Sequence, residues 1–230
     1  MTSRKPIVAI DGPAGAGKST IARRVAEKLG FIYVDTGAMY RAVAWKSLRA
    51  GVSLSDSDGI TALAKSMTIR FDRSNGQRVF ADSTDVTEAI RTPEVTRLSS
   101  PVSAISGVRR RLVEMQREMG TAGGIVMEGR DIGTVVFPDA EVKVFLTASP
   151  EERARRRQLE LAEKGIESSL DDLAAQMRER DDRDSSREDS PLRQAADAAP
   201  IDTDNMTIDQ VVEAVLRLCE ERMRGCCSTT

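Results

Sequence analysis

The chain contains no histidine. That single absence removes Ser-His-Asp chemistry, imidazole metal sites and histidine proton shuttles together. Aromatic residues make up only 3% of the chain, while 40% of it is apolar, so its core must be built from Val, Ile, Leu, Ala and Met. Cysteine is scarce as well: Cys219, Cys226 and Cys227 all fall near the C-terminal end, outside any disulfide framework. Such usage suits a reducing compartment, and Cys226-Cys227 reads as an exposed tail rather than a metal or redox pair. No apolar run reaches signal or membrane length. The 34 Lys and Arg against 36 Asp and Glu leave a net charge of −2, which provides no global basic field for nucleic acid. The expectation is a cytoplasmic protein with no membrane or nucleic-acid partner and no sign of an obligate interface, hence a monomer.

Against these absences stands one stretch of high information, Gly12-Pro13-Ala14-Gly15-Ala16-Gly17-Lys18-Ser19-Thr20. It meets the phosphate-loop pattern G-x-x-x-x-G-K-[ST] in full. Its glycines let successive backbone N–H groups turn inward on a phosphate without Cβ interference. Lys18 supplies a cation for the β- and γ-phosphates, and the Ser19 hydroxyl is a candidate Mg²⁺ ligand. Context supports the match. Pro6–Ile10 is an apolar run of strand length, and Ile21, Ala22, Val25, Ala26 and Leu29 repeat at helical spacing before Gly30. Strand, glycine loop and helix in that order predict a nucleoside triphosphate site, with the helix N-terminus adding its dipole.

Five runs carry the signature of buried parallel strands: Ile7–Ile10, Phe31–Val34, Gly124–Met127, Val142–Leu146 and Ala199–Asp202. Helical stretches are expected over 18–29, 37–50, 104–119, 150–163, 170–187 and 207–224. The alternation predicts an α/β fold, a doubly wound parallel five-stranded sheet flanked by helices, with its ligand at the carboxyl edge. The gap between the second and third strands is too long for one crossover. Within it Thr68–Phe71 and Gln77–Phe80 flank Ser74-Asn75-Gly76, a hairpin signal, and a further extended piece lies near Asp85-Val86-Thr87. Residues 65–100 therefore read as an inserted small antiparallel β subdomain closing over a second substrate. Residues 1–64, 101–148 and 188–230 form the core, and 149–187 a helical lid with its adjoining helix.

The lid is densely charged, with 23 of the 43 residues from Glu151 to Arg193 ionisable. Ser149-Pro150-Glu151-Glu152 opens it with a capping box and a proline at the first helical position. Arg153, Arg156 and Arg157 share one side of the next helix, where they would close over a triphosphate and neutralise charge developing in transfer. In the following helix Leu170, Leu173, Met177, Arg180, Asp184 and Arg187 advance by three or four residues along one stripe. A face that changes from apolar to Arg-Asp-Arg delivers charge to a polar cleft. Two further arginines follow predicted strands, in Asp35-Thr36-Gly37-Ala38-Met39-Tyr40-Arg41 and in Glu128-Gly129-Arg130-Asp131-Ile132-Gly133.

A hydroxyl acceptor benefits from a base, whereas a phosphate acceptor needs charge neutralisation and alignment. The wealth of arginine therefore favours a nucleoside monophosphate as acceptor. Asp131 keeps an alcohol-phosphorylating, shikimate-type kinase open, and helix spacing does not separate CMP from UMP. A GTPase-type switch would need an N-K-x-D stretch, which the chain lacks.

The phosphate loop, Asp35–Arg41, Gly129–Pro138 and Glu179–Asp184 together resemble the bacterial cytidylate kinases, in order, from about residue 6 to 222. The resemblance implies ATP-dependent, Mg²⁺-assisted phosphorylation of CMP and dCMP in the nucleoside monophosphate kinase fold. It implies ATP contacts from Gly12 through Thr20, and Ser19 as the metal ligand. Thr36, Ser100, Arg109 and Asp131 would surround the cytosine, Arg41, Arg130 and Arg187 would hold the acceptor phosphate, and Arg180 with Asp184 the ribose. Thr36 stands where the family often has serine. The transfer itself would be served by Lys18, Arg130, Arg153 and Arg157.

Overall fold

The computed structural model describes residues 4–72, 78–163 and 165–226. It divides into two compact units, one formed by Met1–Tyr33 with Ala122–Thr230 and the other by Val34–Thr121.

The first unit carries the parallel sheet, except for Val34 and Asp35, the last two residues of its second strand, which are counted with the second unit. Strands β1 (Ile7–Asp11), β2 (Ile32–Asp35), β6 (Ile125–Gly129), β7 (Val142–Thr147) and β8 (Ala199–Asp202) stand in the order β2-β6-β1-β7-β8. β1 lies at the centre, paired in parallel with β6 from Ile7↔Ile125 to Asp11↔Gly129 and with β7 from Val8↔Val142 to Asp11↔Phe145. β1 and β6 are buried along their whole length, as expected of a sheet covered on both faces. β8 is an edge strand, where Pro200 sits without breaking a ladder.

Helices α1 (Lys18–Leu29) and α8 (Ile208–Cys226) lie against this sheet. Ile21, Ala22 and Val25 of α1 and Val211, Val212, Val215 and Cys219 of α8 enclose Val8, Ile10, Val126, Val144 and Leu146 in one core. Gly30 ends α1 in the left-handed conformation, its N–H bonded to the carbonyls of Ala26 and Glu27. Helices α6 (Pro150–Ala162) and α7 (Leu170–Ser185) pack on each other through Ala154, Leu173, Ala174 and Met177. Leu170, expected on the buried stripe of α7, is the first residue of the helix and is instead 40% exposed; burial begins at Leu173.

The second unit contains α2 (Thr36–Arg49), α3 (Ser57–Ser66), α4 (Pro93–Ala104), α5 (Ser106–Met119) and a three-stranded antiparallel sheet. In that sheet β3 (Ile69–Asp72) pairs with β4 (Arg78–Ala81) from Ile69↔Ala81 to Asp72↔Arg78, and β4 pairs with β5 (Thr84–Asp85). The expected hairpin turn Ser74-Asn75-Gly76 lies outside the described residues, as does Cys227. Two helices went unpredicted. α3 has Gly59 in its first turn and buries only Ile60 and Ala64, and α4 carries an internal proline, Pro101, so neither shows a clean periodicity. Among the described residues no helix is long and apolar enough to cross a membrane.

Candidate active site

All the parallel strands of the first unit point their carboxyl ends the same way, and charged or glycine-rich segments follow them. After β1 comes the phosphate loop. Gly12 adopts φ 146°, and a Cβ there would stand 2.1 Å from the Leu146 carbonyl oxygen, so only glycine passes this close to β7. Gly15 and Gly17 are left-handed, with φ 79° and 85°. Lys18 is buried, and its Nζ donates to the Pro13 carbonyl at 2.6 Å. Burial lowers its pKa to about 7, helped by the cations Arg130 and Arg180 and opposed by Glu128 and Asp11. Ser19 and Thr20 are exposed at the start of α1.

The arginines of α6 are not equivalent. Arg153 is buried, donating to the Ala14 carbonyl of the phosphate loop at 3.0 Å, to the Ala148 carbonyl at 3.0 Å and to Asp181 of α7 at 2.5 Å. Arg156 is half-buried and binds both the hydroxyl and the carbonyl of Thr203, just past β8. Arg157 lies at the surface, paired with Glu160. The capping box is only half as expected. Ser149 Oγ accepts from the Glu152 N–H, but the Glu152 carboxylate is taken by Arg155 and Arg156, which hold it down at about 2. Asp204 supplies the missing half by accepting from the Ser149 N–H at 2.8 Å.

At the end of α7 the predicted stripe becomes a cluster. Asp184 is 2% exposed, and each of its oxygens serves a different arginine. Oδ2 accepts from Arg130 Nε at 2.8 Å, and Oδ1 accepts from Arg187, which lies two residues beyond the helix. Burial would raise the pKa of Asp184, but Arg130, Arg187 and Arg180 together hold it below the usual carboxylate range. Arg130 follows β6 and also donates to the Gly129 carbonyl. Asp131 is buried beside it, at the head of a single π-turn, Ile132–Val136. Tyr33 donates its hydroxyl to the buried Glu128 at 2.5 Å.

The remaining predicted residues belong to the second unit. Asp35 Oδ1 caps α2 through the Ala38 N–H, while Oδ2 pairs with Arg41 at 2.8 Å. Thr36 is buried. Arg109, 2% exposed, donates to the Ser103 carbonyl and lies 5.5 Å from the Tyr40 ring centre. The Ser100 carbonyl accepts from the Ser103 hydroxyl. The first unit thus brings Lys18, Arg130, Arg180, Asp184 and Arg187 into one electrostatic group. Sequence reasoning missed Asp11, Asp181 and Thr203, and it left Glu128 without a role. Asp11 carried one signal, an acid closing an apolar strand directly before the glycine loop.

Comparison with known proteins agrees with this geometry. Residues 8–221 match the family model described as Cytidylate kinase. A cytidylate kinase of Desulfitobacterium hafniense is 53% identical over 216 residues, covering 94% of this chain and 93% of that protein. One from Geobacter sp. (strain M21) is 52% identical over 218 residues, covering 94% of each chain. Among solved structures, an uncharacterized protein from Eubacterium ventriosum superposes with a TM-score of 0.53 at 12% identity, covering 94% of this chain and 99% of that one. That likeness concerns the fold.

Proposed function

The chain belongs to the cytidylate kinase family, and on that premise we propose that it transfers the γ-phosphoryl group of ATP to CMP and dCMP, giving ADP and the diphosphates. The observation that carries this reading is the electrostatic group of Lys18 with Arg130, Arg180 and Arg187. A lysine on a triphosphate loop and three guanidiniums gathered on one carboxylate suit two charged substrates. The acceptor's own phosphate oxygen is the nucleophile and needs no histidine base. The task is to align two anions and screen their repulsion.

In this reading Gly12 to Thr20 wrap the triphosphate, and Lys18 leaves the Pro13 carbonyl for the β- and γ-phosphates. Arg130 and Arg187 bind the acceptor phosphate, preset by Asp184, while Arg180 and Asp184 also serve the ribose. Arg41 of the second unit adds to phosphate binding, and Thr36, Ser100 and Arg109 serve the base with Asp131. Arg153 acts through the loop carbonyl it holds, and Arg157 is the lid arginine with a surface position from which to reach the nucleotides. The insert 65–100 and the segment 149–187 are assigned to closure over the substrates. Mg²⁺ fits the donor set: the exposed Ser19 hydroxyl is a hard oxygen ligand, and this ion keeps most of its sphere for phosphate and water. When bound it would supply charge neutralisation on the triphosphate. We further assign the protein to the cytoplasm as a monomer, in keeping with its sparse cysteine.

Release of ADP with ATP and Mg²⁺ tests the reading against CMP, dCMP, UMP, AMP, dTMP and shikimate. CMP and dCMP are expected to be the preferred acceptors. Faster turnover of shikimate or UMP would overturn it. Both nucleotides together should also protect the Arg153–Arg157 segment from proteolysis, and unchanged cleavage would remove the closure role.

Lys18 gives a pH-dependent prediction. Its pKa falls from the ordinary 10.5 to about 7 in the free protein, so at pH 8 it is mostly neutral. A neighbouring triphosphate restores the charged form, so ATP binding at pH 8 should take up close to one proton. Binding enthalpies measured in buffers of different ionisation heat report this number. Equal uptake by wild type and Lys18→Met would place the proton elsewhere. For stability the sign is the reverse of a stabilising pair. Between about pH 7 and 10.5 the unfolded chain binds more protons, so stability rises with pH across that window.

A further inference from the structure

Asp11 has no part in the roles assigned above, yet its placement is costly. It closes a strand that otherwise reads Ile-Val-Ala-Ile, and it is 5% exposed. Burial raises its pKa to about 6, with Asp131 adding to the rise, although two backbone N–H groups and Lys18 oppose it. An apolar residue would suit the strand better. The sheet does not need the carboxylate, since the β1–β6 register is already paired up to Asp11↔Gly129.

What the carboxylate does is hold the turn after Arg130-Asp131. Asp11 Oδ1 accepts from the Ile132 N–H at 2.9 Å and Oδ2 from the Gly133 N–H at 2.7 Å. These are the opening amides of the π-turn Ile132–Val136, groups that find no partner inside a helical turn. The residue in the usual capping position, Asp131, makes no side-chain cap. The cap comes instead from 121 and 122 residues upstream. Gly133 makes the approach feasible, because a Cβ there would already stand 3.2 Å from Lys143 Cδ and 3.4 Å from Asp11 Oδ2. Arg130 is thereby held from two sides, by Asp184 on its guanidinium and by Asp11 on the backbone that follows it.

We propose that Asp11 is a positioning residue for the acceptor side of the reaction: through Ile132 and Gly133 it sets the Arg130-Asp131 backbone. Because it adjoins Gly12, it also ties that backbone to the phosphate loop. The proposal rests on the reading that Arg130 holds the acceptor phosphate.

The test compares Asp11→Ala, Asp11→Asn and Arg130→Ala in the full chain. It uses separate equilibrium titrations with CMP and with ATP, and amide exchange at Ile132 and Gly133, with β1 amides as control. In Asp11→Ala the two amides should exchange at least about tenfold faster while β1 is unchanged. CMP affinity should fall by about 10- to 100-fold, the scale of losing hydrogen bonds to a charged acceptor, and ATP affinity by less than about threefold. Asp11→Asn keeps one acceptor oxygen and should recover part of the loss. Should the alanine variant not fold, the asparagine variant is read by the same criteria. Unchanged exchange, unchanged CMP affinity, or equal losses for both nucleotides would overturn the proposal. If Arg130→Ala keeps full CMP affinity, the Arg130 assignment is what fails, and exchange at Ile132 and Gly133 alone then decides whether Asp11 anchors the turn.

Discussion

Asp184→Ala is expected to lower kcat/KM for CMP by about 10²-fold or more, the scale of losing the organising partner of transition-state charges. It should also destabilise the fold by about 3 kcal/mol, because removing one member of a buried ion pair leaves the others uncompensated. Both effects follow from one geometry. The carboxylate is 2% exposed and divides its two oxygens between Arg130 and Arg187, whose side chains are themselves only 17% and 11% exposed. Without it two guanidiniums lose their fixed orientation and repel each other and Arg180. Asp184→Asn keeps the shape and one acceptor oxygen, so it should lose less stability than the alanine variant. Steady-state kinetics and thermal unfolding check the expectation, and a variant with wild-type values of both would sink the role of Asp184 as the shared anchor. The pH sign is that of a paired acid. The three arginines depress its folded pKa, so its contribution is fully present above about pH 4 and is lost as pH falls further. The asparagine variant should therefore show a flatter acid limb.

Lys18→Ala is expected to lower turnover by about 10²–10³-fold at saturating ATP and CMP, the cost of removing one partner of the charge that develops during transfer. Unlike Asp184, Lys18 should add nothing to stability and, when charged, should cost some. It is a buried cation whose partner is a neutral carbonyl, Pro13, and burial disfavours its charged form. The shape-conserving Lys18→Met should accordingly be at least as stable as wild type below about pH 7, where the native lysine carries its charge. Turnover close to wild type in either variant would remove Lys18 from the chemistry. Loss of turnover together with loss of folding would mean that the lysine holds the loop rather than the phosphate.

Much of the scaffold could be read directly. Each of the five parallel strands lies within a residue or two of its expected position; β1 and β6, buried on both faces, leave continuous apolar runs, whereas the edge strand β8 is not buried. α1 was legible to the residue, with a glycine loop before it and Gly30 after it. α3 and α4 were not, because α3 is short and buries only Ile60 and Ala64, and Pro101 interrupts α4. The Arg180-Asp184-Arg187 stripe was visible as a change of character along one helical face. That Asp184 spans to Arg130, 54 residues earlier, was not. The α6 arginines show the limit most clearly. Their spacing put Arg153, Arg156 and Arg157 on one side of a helix, yet one is buried against the Ala14 carbonyl, one is bound to Thr203 and one faces solvent.

The absence of histidine and the nine consecutive residues from Gly12 to Thr20 were enough to specify an anion-binding loop and a reaction without an imidazole base. Backbone N–H groups, glycine conformations and a helix start are local properties, and local order suffices to produce them. The partner of each charge is a different kind of quantity. Coulomb energy and hydrogen bonding depend on separation in space and on burial, and only the folded sheet brings Asp11 to Gly133, Arg130 to Asp184 and Arg153 to the phosphate loop.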